Sequence, residues 1–294
     1  MISPPAEIRR IVYLGTPELA VPPLRALHAA GFEIPLVISR ADKRRGRGGG
    51  LSPSPVKAAA LELGLPVTTD VDAALEVNAD LGVVVAFGRI IKPHVLAELA
   101  MVNIHFSLLP RWRGAAPVER ALLAGDETTG VCLMALAEEL DTGDVYRVEE
   151  VAIRDDHTLG SLRGELVEVG TRLLVDGLAE GLGTPTPQDG EVTYAAKIDT
   201  DELRIDWSAP ATQIDRLVRL GNAWTTHNGK RLKVWQARPV DSAGAGAPGS
   251  VDGVVVHAGE GALELVEVQP EGKPRRQAAD WANGVGGGDV VLGS

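Results

Sequence analysis

The sequence predicts an α/β protein in which a mostly parallel sheet with helices on both faces is followed by a smaller all-β domain. Short apolar runs alternate with helical patterns through the first half of the chain, which is typical of βαβ units. A Gly-, Pro- and Thr-rich stretch at 181–189 ends this alternation. Beyond about residue 201, short alternating runs are separated by Gly, Pro and Asp, as in a small barrel or sandwich.

The elements of the first half follow one another in a regular order. The apolar run at 81–87 predicts a strand covered on both faces, because parallel strands are buried on both sides. Right-handed crossovers then place helices on both faces of the sheet. The predicted order is a strand at 11–14, a helix through 24–30, a strand at 34–38, a helix at 55–63, the strand at 81–87, a short helix near 95–99, a strand at 102–106 and a helix near 115–124.

The second half begins with an amphipathic helix at 158–182, whose leucines and valines recur at helical spacing. A helix at 211–220 then precedes short predicted strands at 232–235, 251–257 and 263–268. We therefore predict an α/β domain over residues 1–182, a linker over 183–200 and a C-terminal β domain over 201–294.

Composition excludes several classes of protein. The net charge of −11 argues against generic binding of nucleic acid or anionic membranes, but residues 201–294 carry ten Lys/Arg against twelve Asp/Glu and leave room for local basic patches. The single cysteine, Cys132, excludes an intramolecular disulfide or a multi-cysteine metal site, and its apolar surroundings predict a core residue. No apolar run approaches the length of a membrane span, so we expect a cytoplasmic protein without a membrane partner.

Asn103 and His105 are the first candidates for chemistry. They lie near the end of a predicted parallel strand, where alternation puts both side chains on one side. Ligands of open α/β sheets bind at the carboxyl ends of the strands, so an amide and an imidazole there suit an oxyanion donor and an acid/base group. The alternative is that both are polar groups satisfied by the backbone.

Two loops could complete such a site. The segment Ser107, Leu108, Leu109 and Pro110 forms a stiff apolar loop at the strand end, which suits a flat heterocyclic ligand but equally a simple strand-to-helix connection. A carboxylate from the LDTGD turn would orient His105 and raise its pKa, although the residues alone leave Asp141 and Asp144 open.

Basic residues concentrate in a few segments. The run RADKRRGR at 40–47 has five positive charges and one negative charge, and it is interpreted either as a solvated charge run or as a loop that contacts phosphates. Further groups occur at 230–233 and 273–276. No metal is expected, since the other histidines have no partners at metal-ligand spacing.

These segments together resemble the methionyl-tRNA formyltransferase family over nearly the whole chain. The most specific part is NIHFSLLPRWRGAAPVERALLAGDETTGV, followed by LDTGD, whose first aspartate lies 38 residues after Asn103. The Asn-x-His pair with a downstream Asp is shared with other 10-formyltetrahydrofolate-dependent transferases, such as glycinamide ribonucleotide formyltransferase. Further similar segments are RIVYLGTPELAVPPLRAL, LSPSPVKAAALELGLPV, IDWSAPATQIDRLVRL, NGKRLKVW and VQPEGKPRRQAADWANG.

The resemblance implies a Rossmann-like formyltransferase domain joined to an OB-like β-barrel that helps to hold tRNA. It implies 10-formyltetrahydrofolate as the formyl donor, without a metal, and methionyl initiator tRNA as the acceptor of a monomeric enzyme. The catalytic trio would be Asn103, His105 and Asp141, and the loop Ser107–Pro110 would contact the folate. The expected tRNA contacts are Lys43, Arg44, Arg45 and Arg47 on the N-terminal loop, with Lys230, Arg231 and Lys233 on the barrel.

The sequence departs from the family pattern where tRNA is expected. The basic loop opens with SRAD instead of a TQPD-like segment, glycines follow GRG where lysines are common, and GNAWTT replaces NPWPGAF. An alternative within the same chemistry is a sugar-nucleotide N-formyltransferase, which the basic segments disfavour. In either case a neutral amine attacks the formyl carbon, Asn103 and protonated His105 donate to the developing oxyanion, and Asp141 orients His105.

Overall fold

A computed structural model describes residues 2–44, 50–240, 246–285 and 290–293. The chain forms two compact units. The first comprises Met1–Pro117, Thr128–Ala152 and Arg163–Ala195, and the second comprises Val118–Glu127, Ile153–Leu162 and Ala196–Ser294. The residues that carry the candidate chemistry lie in the first unit.

A seven-stranded sheet forms the centre of the first unit. Its order is β10-β9-β7-β6-β1-β2-β5, with the five strands from β5 to β7 parallel and β9 and β10 antiparallel. The strands in this sheet are β1 (Arg10–Gly15), β2 (Glu33–Ile38), β5 (Val67–Thr68), β6 (Leu81–Val85), β7 (Met101–His105), β9 (Thr128–Ala135) and β10 (Val145–Ala152). Two small ladders accompany it: β3 (Lys43–Arg44) with β4 (Leu51–Ser52), and β8 (Arg113–Gly114) with β11 (Tyr194–Ala195).

Alternation along β1 shows that the sheet is covered on both faces. Val12 and Leu14 belong to a buried cluster with residues of the helix at 93–98, whereas Tyr13 points the other way and donates from its hydroxyl to the carbonyl of Ala20 at 2.6 Å. The helices of the chain are α1 (Val21–Ala29), α2 (Pro55–Glu62), α3 (Pro93–Glu98), α4 (Pro117–Ala124), α5 (Leu159–Glu180), α6 (Ala211–Arg219) and α7 (Ala278–Val285).

Helix α5 packs against the strands that bear the candidate site. Leu166 and Leu174 are fully buried, as their helical spacing predicts. Gly170 allows the close approach, because a Cβ there would lie 2.9 Å from the Ile104 side chain on β7. The helix thus packs against the side of β7 that carries Ile104, opposite to the side that carries Asn103 and His105.

The second unit contains an antiparallel sheet in the order β12-β13-β16-β15-β14, with β17 paired to β16. A buried cluster that includes Trp207, Ile214, Leu232 and Trp281 fills one side of it. The strands are β12 (Trp224–His227), β13 (Lys230–Val240), β14 (Val251–Asp252), β15 (Val255–His257), β16 (Ala262–Pro270) and β17 (Arg276–Gln277).

The predicted fold class is confirmed: a mostly parallel sheet with helices precedes a separate antiparallel sheet. Cys132 is buried, as predicted, and burial raises the pKa of its thiol to about 11. Within the described ranges, no helix has the length and apolarity that a membrane crossing needs. The domain boundaries at 182 and 200 stay a prediction, and residues 183–195 of the predicted linker lie in the first unit.

Candidate active site

Strand β7 carries Asn103 and His105 to the carboxyl edge of the parallel sheet. It pairs with β6 on one side and antiparallel with β9 on the other, so both side chains lie where the strand direction reverses. Asn103 is half-buried, and among the described residues its carboxamide has no hydrogen-bond partner. That amide can therefore donate to a ligand without breaking an internal bond.

His105 is buried, with a hydrogen bond at one ring nitrogen and a carboxylate near the other. Its Nε2 lies 3.0 Å from the carbonyl oxygen of Trp112, and its Nδ1 lies 3.6 Å from Oδ2 of Asp141. A carbonyl oxygen can only accept a hydrogen bond, so Nε2 carries a proton and donates a hydrogen bond to the carbonyl of Trp112. The distance to Asp141 exceeds that of a hydrogen bond, which leaves Nδ1 as the nitrogen with capacity for a further proton.

Burial and Asp141 act on the pKa of His105 in opposite directions. Loss of hydration lowers this pKa below its usual value, while the charge of Asp141 and the hydrogen bond to Trp112 raise it, and burial dominates. The expected protonated imidazole is therefore not the form favoured at neutral pH. The neutral ring fits the role of a proton acceptor better, with Asp141 placed to stabilise the imidazolium that forms.

Asp141 is the LDTGD carboxylate that reaches His105. Its backbone has φ +52°, a left-handed conformation that aspartate tolerates better than most residues, and its Oδ2 accepts from the Gly114 N–H at 2.8 Å. Asp144 contributes its backbone carbonyl, which accepts from Ala135 N–H at 2.8 Å. The geometry thus separates two aspartates that the residues alone left open.

The loop Ser107–Pro110 is anchored inward at several points. The buried Ser107 hydroxyl donates to the carbonyl of Arg111 at 2.6 Å, and the Leu108 side chain packs against Gly130 of β9. Leu109 N–H donates to the thiol of Cys132. Ser107 therefore acts within the loop, and the half-buried Leu108 and Leu109 are the members with surface left for a ligand.

A segment that the sequence did not single out completes the site. Thr193 accepts through Oγ1 from Trp112 N–H at 2.8 Å and through its carbonyl from Arg113 N–H at 2.9 Å. Gln188 donates from Nε2 to the carbonyls of Asp141 and Gly143, each at 2.8 Å, and accepts from Arg113. The Gly- and Pro-rich composition here predicted only a linker, so no local signal identified these contacts.

The predicted basic loop is only partly described. Lys43 and Arg44 form the exposed strand β3, which pairs with β4. Arg45 and Arg47 lie outside the described residues. Within the described ranges, no group of three or more His, Cys, Asp or Glu is placed to hold a metal ion.

In the second unit, Arg231 and Lys233 of β13 lie on its outer face beside aromatic rings, and Lys230 is exposed at the start of the strand. Leu232 and Val234 point into the core, whereas Lys230 and Arg231 are exposed and Lys233 is half-buried. The Arg231 guanidinium lies 4.1 Å from the centre of the Trp224 ring, and the Lys233 ammonium lies 5.2 Å from that of Trp235.

Two arginines extend this face. Arg204 lies 5.6 Å from the centre of the Trp224 ring and Arg275 lies 3.4 Å from that of Trp235, so each tryptophan contacts two cations. Nearby carboxylates offset part of the charge, since Arg275 lies 3.6 Å from Glu267. Sequence analysis missed this layer, and the nearness of Trp224 to Trp235 in the chain is the signal that could have indicated it.

Comparison with known proteins gives a consistent result. Residues 9–178 match the family model "Formyl transferase", and residues 197–286 match "Formyl transferase, C-terminal domain". The methionyl-tRNA formyltransferase of Jannaschia sp. is 46% identical over 94% of this chain and 96% of its own length. That of Symbiobacterium thermophilum is 44% identical over 94% and 93%.

Solved structures support the fold. The sugar 3N-formyltransferase WlaRD, solved with dTDP and 5-N-formyl-THF, aligns with a TM-score of 0.69 at 16% identity over 91% of this chain and all of that one. A methionyl-tRNA formyltransferase from Clostridium thermocellum aligns with a TM-score of 0.54 at 14% identity, over 79% of this chain and 93% of that one. At such low identity these structures support the architecture alone.

Proposed function

The chain belongs to the methionyl-tRNA formyltransferase family, and from this premise we propose that it transfers the formyl group of 10-formyltetrahydrofolate to the free amino group of methionyl initiator tRNA. The product is N-formylmethionyl-tRNA for translation initiation. The observation that carries the proposal at the level of the site is the meeting of His105 and Asp141 at the strand edge that also presents Asn103.

Asn103 stabilises the charge that develops on the formyl oxygen as the amine attacks. Its carboxamide has donors to spare, because no described residue uses them. A positioned neutral donor of this kind contributes about 3–4 kcal/mol to the stability of a transition state. The role needs no movement of β7, since the strand is fixed by its two neighbours in the sheet.

His105 accepts the proton that the attacking amine must lose, and this proton would pass on to N10 of tetrahydrofolate, which leaves as the bond between N10 and the formyl carbon breaks. Nε2 already carries a proton, which is hydrogen-bonded to the carbonyl of Trp112, so the incoming proton binds to Nδ1, the nitrogen that faces Asp141. The negative charge of Asp141 then stabilises the imidazolium, which burial would otherwise disfavour. An α-amine with a pKa near about 7.7–8.0 has a usable neutral fraction at neutral pH, so a weak base is sufficient.

The donor would lie against the loop Ser107–Pro110, beside the carboxyl end of β6. The half-buried Leu108 and Leu109 offer apolar surface to a flat ring, and the internal bond of Ser107 keeps the loop in place. The unpartnered Asn103 amide fits a carbonyl oxygen presented from that side. When bound, 10-formyltetrahydrofolate supplies the activated formyl group.

Two basic surfaces would hold the tRNA. One is the segment with Lys43 and Arg44, which would also involve Arg45 and Arg47. The other is the outer face of β12 and β13, where Arg231 and Lys233 contact tryptophan rings, together with the exposed Lys230 at the start of β13. Arginine and tryptophan together suit phosphates and exposed bases. We further propose that the protein acts in the cytoplasm as a monomer.

The decisive experiment supplies the purified protein with 10-formyltetrahydrofolate and, in parallel, methionyl initiator tRNA or amino-sugar nucleotides. Formylation of the methionyl tRNA with no product from the sugars is the expected result. Formylation of the sugar nucleotides instead would overturn the assignment of the acceptor while leaving the assignment of the chemistry intact. No formylation of either acceptor would refute the proposed function.

A further inference from the structure

Residues 186–195 form a strap that holds the two loops of the candidate active site together. Thr186 exchanges two backbone hydrogen bonds with Val145, at 2.8 and 2.9 Å. Ala195 accepts through its carbonyl from the N–H groups of Ala115 and Ala116 at 2.9 and 3.1 Å. The strap is thus fixed at both ends, and Gln188 lies between them.

The side chain of Gln188 joins the two loops through all of its polar atoms. Its Nε2 donates to the carbonyls of Asp141 and Gly143, and its Oε1 accepts from Nε and Nη2 of Arg113 at 3.1 and 2.6 Å. The opposite orientation of the amide would place oxygen against two carbonyls, so the network fixes which atom is which. A carboxamide is the side-chain group that can donate hydrogen bonds to carbonyls through its nitrogen and accept them from a guanidinium through its oxygen.

These bonds close a ring around the carboxylate that faces His105. Gly114, the residue after Arg113, donates its N–H to Oδ2 of Asp141 at 2.8 Å. Asp141 is therefore held at its carboxylate by Gly114, and at its carbonyl by Gln188, which is itself held by Arg113. Its left-handed backbone, at φ +52°, persists only if the surroundings restrain it.

We propose that Gln188 is a positioning residue for the formyl transfer, which fixes the Asp141 carboxylate at His105 by clamping the LDTGD turn to the Arg113 loop. The inference rests on the proposed function for its kinetic consequences. Gln188 touches neither His105 nor any reacting atom, so its effect passes through Asp141. Misplacing a catalytic group by about 1 Å costs up to ~10²-fold in rate.

The test is a double-mutant cycle with kcat and both KM values measured for methionyl tRNA and 10-formyltetrahydrofolate. Gln188→Glu keeps the shape and the acceptor for Arg113 but turns an oxygen towards the two carbonyls. Gln188→Met keeps the approximate size, carries no charge and loses every hydrogen bond. We expect each to lower kcat by about 10- to 30-fold with both KM values within about twofold, and Gln213→Glu, at an exposed glutamine on α6, to change nothing.

The cycle separates positioning from general support of the fold. In an Asp141→Asn background, either Gln188 variant should lower kcat by less than about threefold more, because the group that Gln188 positions has already lost its charge. Equal losses in both backgrounds, or no loss in the wild-type background, would overturn the proposal. If Gln188→Glu does not fold, the Gln188→Met cycle decides by the same criteria.

Hydrogen exchange gives a readout that does not depend on turnover. The Gly114 amide is protected by its bond to Asp141, so Gln188→Met should speed its exchange by at least about tenfold while the amides of β7 keep their rates. Unchanged exchange at Gly114 would refute the clamp even if the enzyme were active. If the wild-type protein formylates no acceptor, but Gly114 still exchanges faster in Gln188→Met than in the wild type, the proposed function is refuted and the clamp is retained.

Discussion

Replacing Asp141 by Asn tests the electrostatic part of the site, because it removes a charge and keeps the shape. The asparagine oxygen can still accept from Gly114 N–H, so the turn is retained. Two unit charges 3.6 Å apart at an effective dielectric constant of about 20 interact by about 4.6 kcal/mol, which is an upper limit for the stabilisation of the imidazolium. Each ~1.4 kcal/mol is a factor of ten in rate.

That limit corresponds to a loss of about three powers of ten in kcat. Since the resting imidazole is neutral and the charge develops only in part during proton transfer, we expect a loss of about 10²- to 10³-fold, with both KM values nearly unchanged. The assay is steady-state formylation in which methionyl tRNA and 10-formyltetrahydrofolate are each titrated with the other saturating. Asp144→Asn is the matched control, since this residue lies in the same turn, contributes a backbone carbonyl to Ala135, and should lose less than about threefold.

Retention of activity by Asp141→Asn within about threefold would refute the reasoning from the charge. Equal losses in the two variants would show that the turn is sensitive to substitution in general. A large increase in KM for methionyl tRNA, with kcat unchanged, would instead assign Asp141 to substrate binding.

Three further outcomes follow from the structure. Burial lowers the pKa of His105 in the folded protein, so below about pH 6.5 the unfolded chain binds more protons than the folded one, and the free energy of unfolding falls as the pH drops. His105→Gln should reduce this loss of stability, which urea denaturation at pH 5.5 and pH 7.5 measures. Gly143→Ala would place a Cβ 1.9 Å from the last carbonyl oxygen of β9, and we expect at least a tenfold loss of kcat and a lower Tm, measured by steady-state assay and calorimetry. Arg231→Ala with Lys233→Ala should raise KM for methionyl tRNA and flatten its salt dependence by a slope of about two, with KM for the folate unchanged.

Matched controls exist for the last two substitutions. Gly164→Ala adds a Cβ that would meet no atom within 4 Å apart from the helix's own backbone and the adjoining residues, so it should leave kcat unchanged and raise stability slightly. Arg238→Ala lies on the same strand as Lys233 but is paired with Glu264 at 3.1 Å, and we expect it to leave KM for methionyl tRNA within twofold. An unchanged KM in the double variant, or an equal increase for Arg238→Ala, would contradict the assignment of the face.

The sequence was sufficient to predict the features that depend on local pattern. Alternation placed Asn103 and His105 together at a strand end, and the apolar run at 81–87 predicted a fully buried strand, which β6 is. Periodicity also gave the helix α5 to within a few residues. These features are set by neighbours two to four positions apart in the chain, which is the range that a pattern reports.

The contacts that complete the site are of a different kind. Gln188 reaches Asp141 across 47 residues and Thr193 reaches Trp112 across 81, and no periodicity connects positions so far apart. Gly and Pro made this segment resemble a linker, although they also permit an extended strap whose bonds go to another loop. The choice of Asp141 over Asp144 needed the turn geometry or the family resemblance for the same reason.

The pairing of β11 with β8 limits where the chain can be cut or recombined without loss of the reaction centre. A fragment that ended at residue 178, with the first family match, would deprive the N–H groups of Trp112, Arg113, Ala115 and Ala116 of their acceptors. Each unmade bond of this kind costs about 1 kcal/mol or more. Chimaeras that exchange C-terminal domains between relatives should therefore be joined after Ala195, so that each catalytic unit keeps the strap with which it evolved.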